Sequence, residues 1–371
     1  MEIALKMALR VSSKRFSFAP QEQKKVGILG LKGSYHGDTL GAMDACEEGV
    51  FTCEWHNAKG YWFESPSVGI KDGQAFVDVP SAVAHLEKKI KGKPLSWIYN
   101  VGARLETPLA ATYRQHINST LEKLADSGAP PLGALVLEPL VLGAGGMVFV
   151  DPLFQRLLVD VARTRGLPVI FDEVFVGLWR LGMLSSGPLL GTHPDISVHA
   201  KVLTGGLVPL AVTLASDDVF RAFEGTNKAE ALLHGHSYTA YAVGCEVANE
   251  TLDRLERLAR GDAWNSARTA WQAISGDAND IDGTNVESAA VWSFWSPKFV
   301  DVLSRLEIVD RVMTLGTVLA FKVADNHTGT ELSPLSVYLF VMAWLMAFLV
   351  DCGGSYRIPV SLRSSAAQGP G

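Results

Sequence analysis

Short apolar runs, each stopped by a turn or a charged residue, alternate along this chain with segments of helical spacing. No other feature limits the fold so tightly. Lys25–Leu31 (KVGILGL), Trp97–Val101, Ala134–Leu137 and Leu167–Phe171 (LPVIF) read as buried strands. Pro80–Lys91 sets Val83, Leu86 and Ile90 on one helical face. Asp151–Thr164 does the same with Leu153, Leu157, Leu158 and Val161, and Pro152 suits its first turn. Glu2–Arg10 (EIALKMALR) is rich in helix formers. A longer helix starts near Ala242, marked by Val247, Leu252, Leu255 and Leu258. This alternation predicts an α/β fold, a mostly parallel sheet flanked by helices on both faces. Ligands in such sheets sit beyond the carboxyl ends of the strands. With 371 residues there is room for two domains, and the long helix is the natural lead into the second.

Composition removes several function classes. Apolar residues at 48% and charged residues at 19% describe a packed globular chain rather than a disordered one. The 33 basic and 39 acidic residues leave a formal charge of −6 with no basic tract, which argues against nucleic acid as a partner. Cys46, Cys53, Cys245 and Cys352 are too scattered for a disulfide framework, and none has neighbours at zinc-ligand spacing. Free thiols in a reducing compartment, and no metal, are the expectation. Val337–Val350 is fourteen uncharged residues, short of the roughly 20 that a spanning helix needs. It reads as a buried helix or a divergent tail, not a membrane anchor. Residues 3–21 hold Lys6, Arg10, Lys14, Arg15, three serines and no acid, as a mitochondrial presequence would, although the same stretch makes a good domain helix. A mitochondrial or cytoplasmic protein that is not secreted is the resulting expectation.

The chemistry-bearing residues fall at strand ends, in four clusters. They are Ser34–Thr39 (SYHGDT), Phe171–Val174 (FDEV), Ala200–Gly206 (AKVLTGG) and His234–Thr239 (HGHSYT). Each alone is ordinary: a carboxylate ending an apolar strand is commonly a helix cap, and a Lys before a glycine turn is commonly a surface lysine. Their order carries more. An aromatic turn, a strand-end carboxylate, a lysine in apolar company 29 residues later and a small hydroxyl in a glycine turn are what pyridoxal phosphate requires. The lysine amine condenses with the cofactor aldehyde, and the carboxylate keeps the ring nitrogen protonated so that the ring can draw electrons. Hydroxyl and backbone N–H groups suit the phosphate.

Four stretches in tandem resemble the class III (subgroup II) aminotransferases of the fold type I pyridoxal-phosphate group: Leu135–Met147 (LVLEPLVLGAGGM), Ile170–Gly182 (IFDEVFVGLWRLG), Pro194–Gly206 (PDISVHAKVLTGG) and His234–Cys245 (HGHSYTAYAVGC). The likeness runs from Met1 to about Asp325. It implies pyridoxal 5'-phosphate as cofactor, with Lys201 as the lysine that binds it and shuttles the proton. It makes Asp172 the partner of the ring nitrogen, with Val174 on one ring face and Tyr35 on the other, bordering the substrate. Gly235 would line the substrate pocket, while His236 and Ser237 would reach the cofactor phosphate of a second subunit in a homodimer. Glu138 and Arg180 match motif positions near the site without an assigned role.

Tyr35–Thr39 (YHGDT) is similar to the biotin-synthesis branch of that family, whereas many other members carry Arg where Asp38 stands. Glu54–Phe63 (EWHNAKGYWF) resembles its eukaryotic form. The implied reaction moves an amino group from S-adenosylmethionine to 8-amino-7-oxononanoate, giving 7,8-diaminononanoate; another ω-amino substrate is the alternative. Residues 1–258 would form the cofactor-binding large domain, 259–330 a partial α+β small domain, and 331–371 a divergent apolar segment and tail. Against the family pattern, a Gly-Ser phosphate turn would precede Met1 and a substrate-carboxylate arginine would follow Gly329. The expectation is therefore a chain truncated at both ends, with little activity, or an inactive fragment.

Overall fold

The computed structural model describes residues 1–49, 52–83, 89–275, 291–324 and 341–342. In chain order its strands are β1 (Gly27–Leu31), β2 (Gly60–Phe63), β3 (Ser67–Lys71), β4 (Gln74–Asp78), β5 (Lys89–Lys91), β6 (Leu132–Leu137) and β7 (Val141–Leu142). There follow β8 (Val148–Phe149), β9 (Val169–Asp172), β10 (Ile196–His199), β11 (Val212–Ala215), β12 (Val309–Leu315), β13 (Val318–Val323) and β14 (Val341–Met342). The first sheet has the order β11-β10-β9-β6-β1-β2. Every pairing in it is parallel except that of β11 with β10. The α/β expectation holds.

Period-two alternation sorts the side chains of this sheet between two layers. Ile28, Ala134, Val136, Ile170, Ile196 and Val198 face the helix Glu2–Phe16, which buries Ala4, Leu5, Ala8 and Val11 against them. That helix is thus part of the core. Leu29, Leu31, Leu135, Leu137, Val169 and Phe171 belong to the other, larger cluster, with Tyr113 and Ile117 of the helix Pro108–Asp126 and Leu153, Phe154 and Leu157 of Pro152–Thr164. Burying a Leu, Ile or Phe contributes about 1.5–3 kcal/mol, so both layers are held by their apolar faces.

A second, antiparallel sheet runs β14-β13-β12-β3-β4-β5. It joins strands from residues 67–91 to strands from residues 309–342, so its two halves come from distant parts of the chain. Val312 of β12 pairs with Ile70 of β3 at the junction.

Three local readings are corrected. Trp97–Val101 is not a strand: it falls within two short helices, Leu95–Tyr99 and Val101–Arg104. Pro94 caps the first, and the Asn100 side chain accepts the Ala103 N–H (3.1 Å) to start the second. A five-residue stretch with four apolar residues has no period to separate strand from helix, and the caps decide. Lys89–Lys91, placed in a helix from spacing, is the edge strand β5, with Phe76 opposite Lys91. Lysines suit an exposed sheet edge, and Lys89 Nζ lies 3.7 Å from the Phe76 ring centre. Residues 84–88 of that predicted helix lie outside the described residues. Of the apolar run Val337–Val350, Val341–Met342 is a strand rather than helix, and the rest lies outside the described residues. No helix among the described residues is long and apolar enough to cross a membrane.

One ion pair is buried in the larger cluster. Arg104 and Asp151 are both wholly inaccessible, joined at 2.7 and 2.8 Å. Asp151 also accepts the Tyr113 hydroxyl (3.2 Å) and the Leu153 N–H (3.1 Å), which caps the helix Pro152–Thr164.

Candidate active site

Four parallel strands end on one side of the first sheet, and the titratable groups gather there. β1 leads into Ser34, Tyr35 and His36, β6 into Glu138, β9 ends on Asp172, and Lys201 follows β10. From β1 the chain moves outward to β2, then returns to β6 on the other side. The strand order reverses between β1 and β6, and that reversal is where sheets of this kind open to a ligand. Asp172 is level with Val198 on the neighbouring strand, so Lys201 stands just beyond it.

Asp172 is 5% exposed. His36 Nδ1–H donates to its Oδ2 at 2.8 Å, and the Val174 N–H donates to its Oδ1 at 3.2 Å. A carboxylate offers about four lone-pair sites, so two remain for a further donor. His36 Nε2 is buried without a hydrogen-bond partner. Lys201 is exposed, opens the short 3-10 turn Lys201–Thr204 and has φ 48°, a left-handed conformation that strains a non-glycine residue. Its ammonium lies 5.7 Å from the Phe175 ring centre, and the Arg180 guanidinium lies 5.2 Å from the same centre. Burial pulls Arg180 down to about 10.

Tyr35 is half-buried. Its N–H donates to Glu138 Oε1 (2.9 Å) and its hydroxyl to Asp38. Burial and then Asp38 raise the phenol above its ordinary value. Glu138 Oε2 accepts the Gly143 N–H at 2.9 Å. Burial pushes this carboxyl up to about 7; Asp172 adds to that, while His36 and the two N–H groups oppose it. Next to Asp172, Glu173 Oε1 accepts both the N–H (2.6 Å) and the hydroxyl of Ser186, and its Oε2 lies 3.5 Å from His199 Nε2. Burial lowers the His199 pKa.

Tyr35, Asp172, Val174 and Lys201 therefore come to one edge of the sheet. Gly235, His236 and Ser237 are all exposed, in the loop before the helix Ala242–Ala259. His236 Nδ1 accepts the Tyr238 N–H (3.1 Å), and Lys6 Nζ, from the first helix, holds that loop through the Leu233 carbonyl (3.2 Å). Sequence reasoning missed His36 as the partner of Asp172 and left Glu138 unassigned. Buried charge at the end of an apolar strand was the available signal for Glu138. Among the described residues no group of three His, Cys, Asp or Glu side chains could hold a metal ion.

The description "Aminotransferase class-III" matches residues 78–276, more than half of the sequence. The chain belongs to the class-III aminotransferase family. It is 43% identical to a bifunctional dethiobiotin synthetase/adenosylmethionine-8-amino-7-oxononanoate aminotransferase of Emericella nidulans, over 91% of this chain and 45% of that protein. It is 38% identical to a bifunctional dethiobiotin synthetase/7,8-diamino-pelargonic acid aminotransferase, mitochondrial, of Oryza sativa subsp. japonica, over 91% of this chain and 40% of that one. The chain thus spans less than half the length of these curated relatives. Among solved structures, the adenosylmethionine-8-amino-7-oxononanoate aminotransferase of Methanocaldococcus jannaschii shares its fold, with a TM-score of 0.58 and 22% identity, over 87% of this chain and 58% of that one. A PLP-bound amine transaminase from an uncultivated Pseudomonas species matches with the same TM-score and identity, over 88% and 60%.

Proposed function

We propose that this chain carries the pyridoxal-phosphate site of a biotin-synthesis aminotransferase, which moves an amino group from S-adenosylmethionine to 8-amino-7-oxononanoate. The observation that carries the reading is the strand-end pair: Asp172, held by His36 with acceptor sites to spare, and Lys201 in the turn that follows the next strand. When bound, pyridoxal phosphate supplies the electron sink that amino exchange requires. Asp172 would accept a hydrogen bond from the ring N–H, with His36 Nδ1–H fixing the carboxylate's orientation. Val174 and Tyr35 would pack on the two ring faces. Lys201 Nζ would be the amine that holds the cofactor, and once displaced by substrate it would hold and return the proton that moves during exchange.

The substrate assignment rests on Tyr35 and Asp38, whose side chains hydrogen-bond to each other, and on the names of the relatives. Gly235 faces open space, with nothing within 4 Å of where a Cβ would stand, which suits a substrate wall. His236 and Ser237, both exposed, would reach a second copy's cofactor phosphate, so a homodimer is part of the proposal. A mitochondrial or cytoplasmic location is part of the proposal, and the plant relative's name favours the first. A complete enzyme carrying these site residues should restore growth to a biotin auxotroph blocked at this step. Failure to do so, with good turnover of ornithine or 4-aminobutyrate, would overturn the substrate assignment.

A further inference from the structure

Among the described residues, Glu138 and Glu173 are buried carboxyls at the strand ends that the proposed chemistry leaves unused, and Glu138 is the one bonded to the Tyr35 backbone. It stands where β6 ends, beside the reversal in strand order, and only 6% of it is exposed. Its two oxygens reach in different directions. Oε1 takes the Tyr35 N–H from the turn after β1, and Oε2 takes the Gly143 N–H from the turn after β7. The stem is fixed too. The Glu138 carbonyl accepts Gln155 Nε2–H (2.9 Å), and Gln155 Oε1 accepts the Leu140 N–H (2.7 Å). Gln155 is wholly buried on the helix Pro152–Thr164.

We propose that Glu138 is a positioning residue for Tyr35: its two-armed carboxylate ties the turn after β1 to the turn after β7 and so sets where the Tyr35 ring lies. The proposal rests on the reading that Tyr35 covers a cofactor face. An ionised carboxylate accepts from both N–H groups at full strength, whereas a protonated acid keeps only a poor acceptor in its hydroxyl oxygen. An amide turns a donor toward one of the two N–H groups, and an unmet buried donor is costly. The tie therefore depends on charge at Glu138.

The groups that face this carboxyl come from several elements. His36 follows β1, Asp172 ends β9, and Cys46 follows the helix Leu40–Asp44. Phe175 packs by Gly143, flanked by Arg180 and Lys201. The Cys46 thiol is pushed up to about 11 by burial, so it stays neutral here. Burial with Asp172 outweighs His36 and the two N–H groups at Glu138, which places its titration near neutrality. Above that range both turns are held; below it one is released.

Amide hydrogen exchange resolved to peptides tests this on the whole chain, from pH 6 to 8, after correction for intrinsic exchange. In the wild-type protein the protection at Tyr35 or Gly143 should rise about tenfold or more as pH climbs through this range. In Glu138→Gln one of the two amides should stay weakly protected at every pH. Wild-type protection independent of pH, or a Gln variant indistinguishable from wild type, would overturn the proposal. A parallel borohydride reduction with pyridoxal phosphate separates the two failures. An unlabelled Lys201 in the wild-type protein overturns the cofactor reading, and with it the cofactor face that Tyr35 would cover. The exchange data report on the tie alone.

Discussion

Two buried carboxylates, about the same size and depth, have opposite surroundings. Asp151 has four donors: two guanidinium N–H groups of Arg104, the Tyr113 hydroxyl and the Leu153 N–H. Asp172 has two, His36 and the Val174 N–H, among the described residues. The first is saturated and paired with a cation that shares its burial. The second keeps acceptor capacity at the open end of a parallel sheet, beside a lysine in a strained backbone conformation. Saturation marks a carboxylate that holds a fold together, and spare capacity marks one that waits for a ligand.

The sharpest way to break this contrast is to remove one partner at each place. Arg104→Ala leaves Asp151 charged and dry, and should cost about 3–5 kcal/mol of stability, measured by urea unfolding. Asp172→Asn should move the unfolding midpoint little, because few groups depend on it. Made in a complete enzyme, the same substitution should lower amino-transfer turnover by a factor on the order of 10² or more, since an amide cannot hold the ring proton. Equal stability losses at the two positions would erase the distinction.

Much of that contrast was visible in sequence at one of its poles and not at the other. Asp172 and Lys201 stand out because β9 is a clean apolar run with a carboxylate at its end, and a lysine opens the glycine turn after the next. Pro152–Thr164 is legible for a similar reason, with Asp151 as cap and Pro152 in its first turn. The partners are not legible. His36 and Asp172 are 136 residues apart, and Tyr35 and Glu138 are 103 apart. Periodicity is a local signal and says nothing about which strand ends become neighbours. The antiparallel sheet shows the same limit, since β3 and β12 meet from opposite halves of the chain. Trp97–Val101 failed for a different reason: Pro94 and Asn100 override an apolar run too short to have a period.

A smaller effect sharpens the picture at Glu138. Its folded pKa is raised above the ordinary 4.5 to about 7. The stability it lends is therefore present in full below the ordinary value and lost as pH rises through about 7. Glu138→Gln cannot lose a proton. Relative to wild type, it should gain about 1–3 kcal/mol of unfolding free energy between pH 5 and pH 8. A pH-independent difference would show that Glu138 does not titrate in this range. The smallest expected change is at Tyr35→Phe, which removes the hydroxyl donated to Asp38. One such hydrogen bond is worth about 0.5–1.5 kcal/mol, so KM for the amino donor should rise a few-fold with kcat nearly unchanged.

The central claim is that the spare capacity at the strand ends belongs to pyridoxal phosphate, bound through Lys201. Incubating the protein with pyridoxal phosphate, reducing with borohydride and mapping the peptides tests it most directly. The account predicts the label on Lys201, lost in Lys201→Ala and weakened in Asp172→Asn. A label on Lys228 or Lys322 with Lys201 unmodified would contradict it.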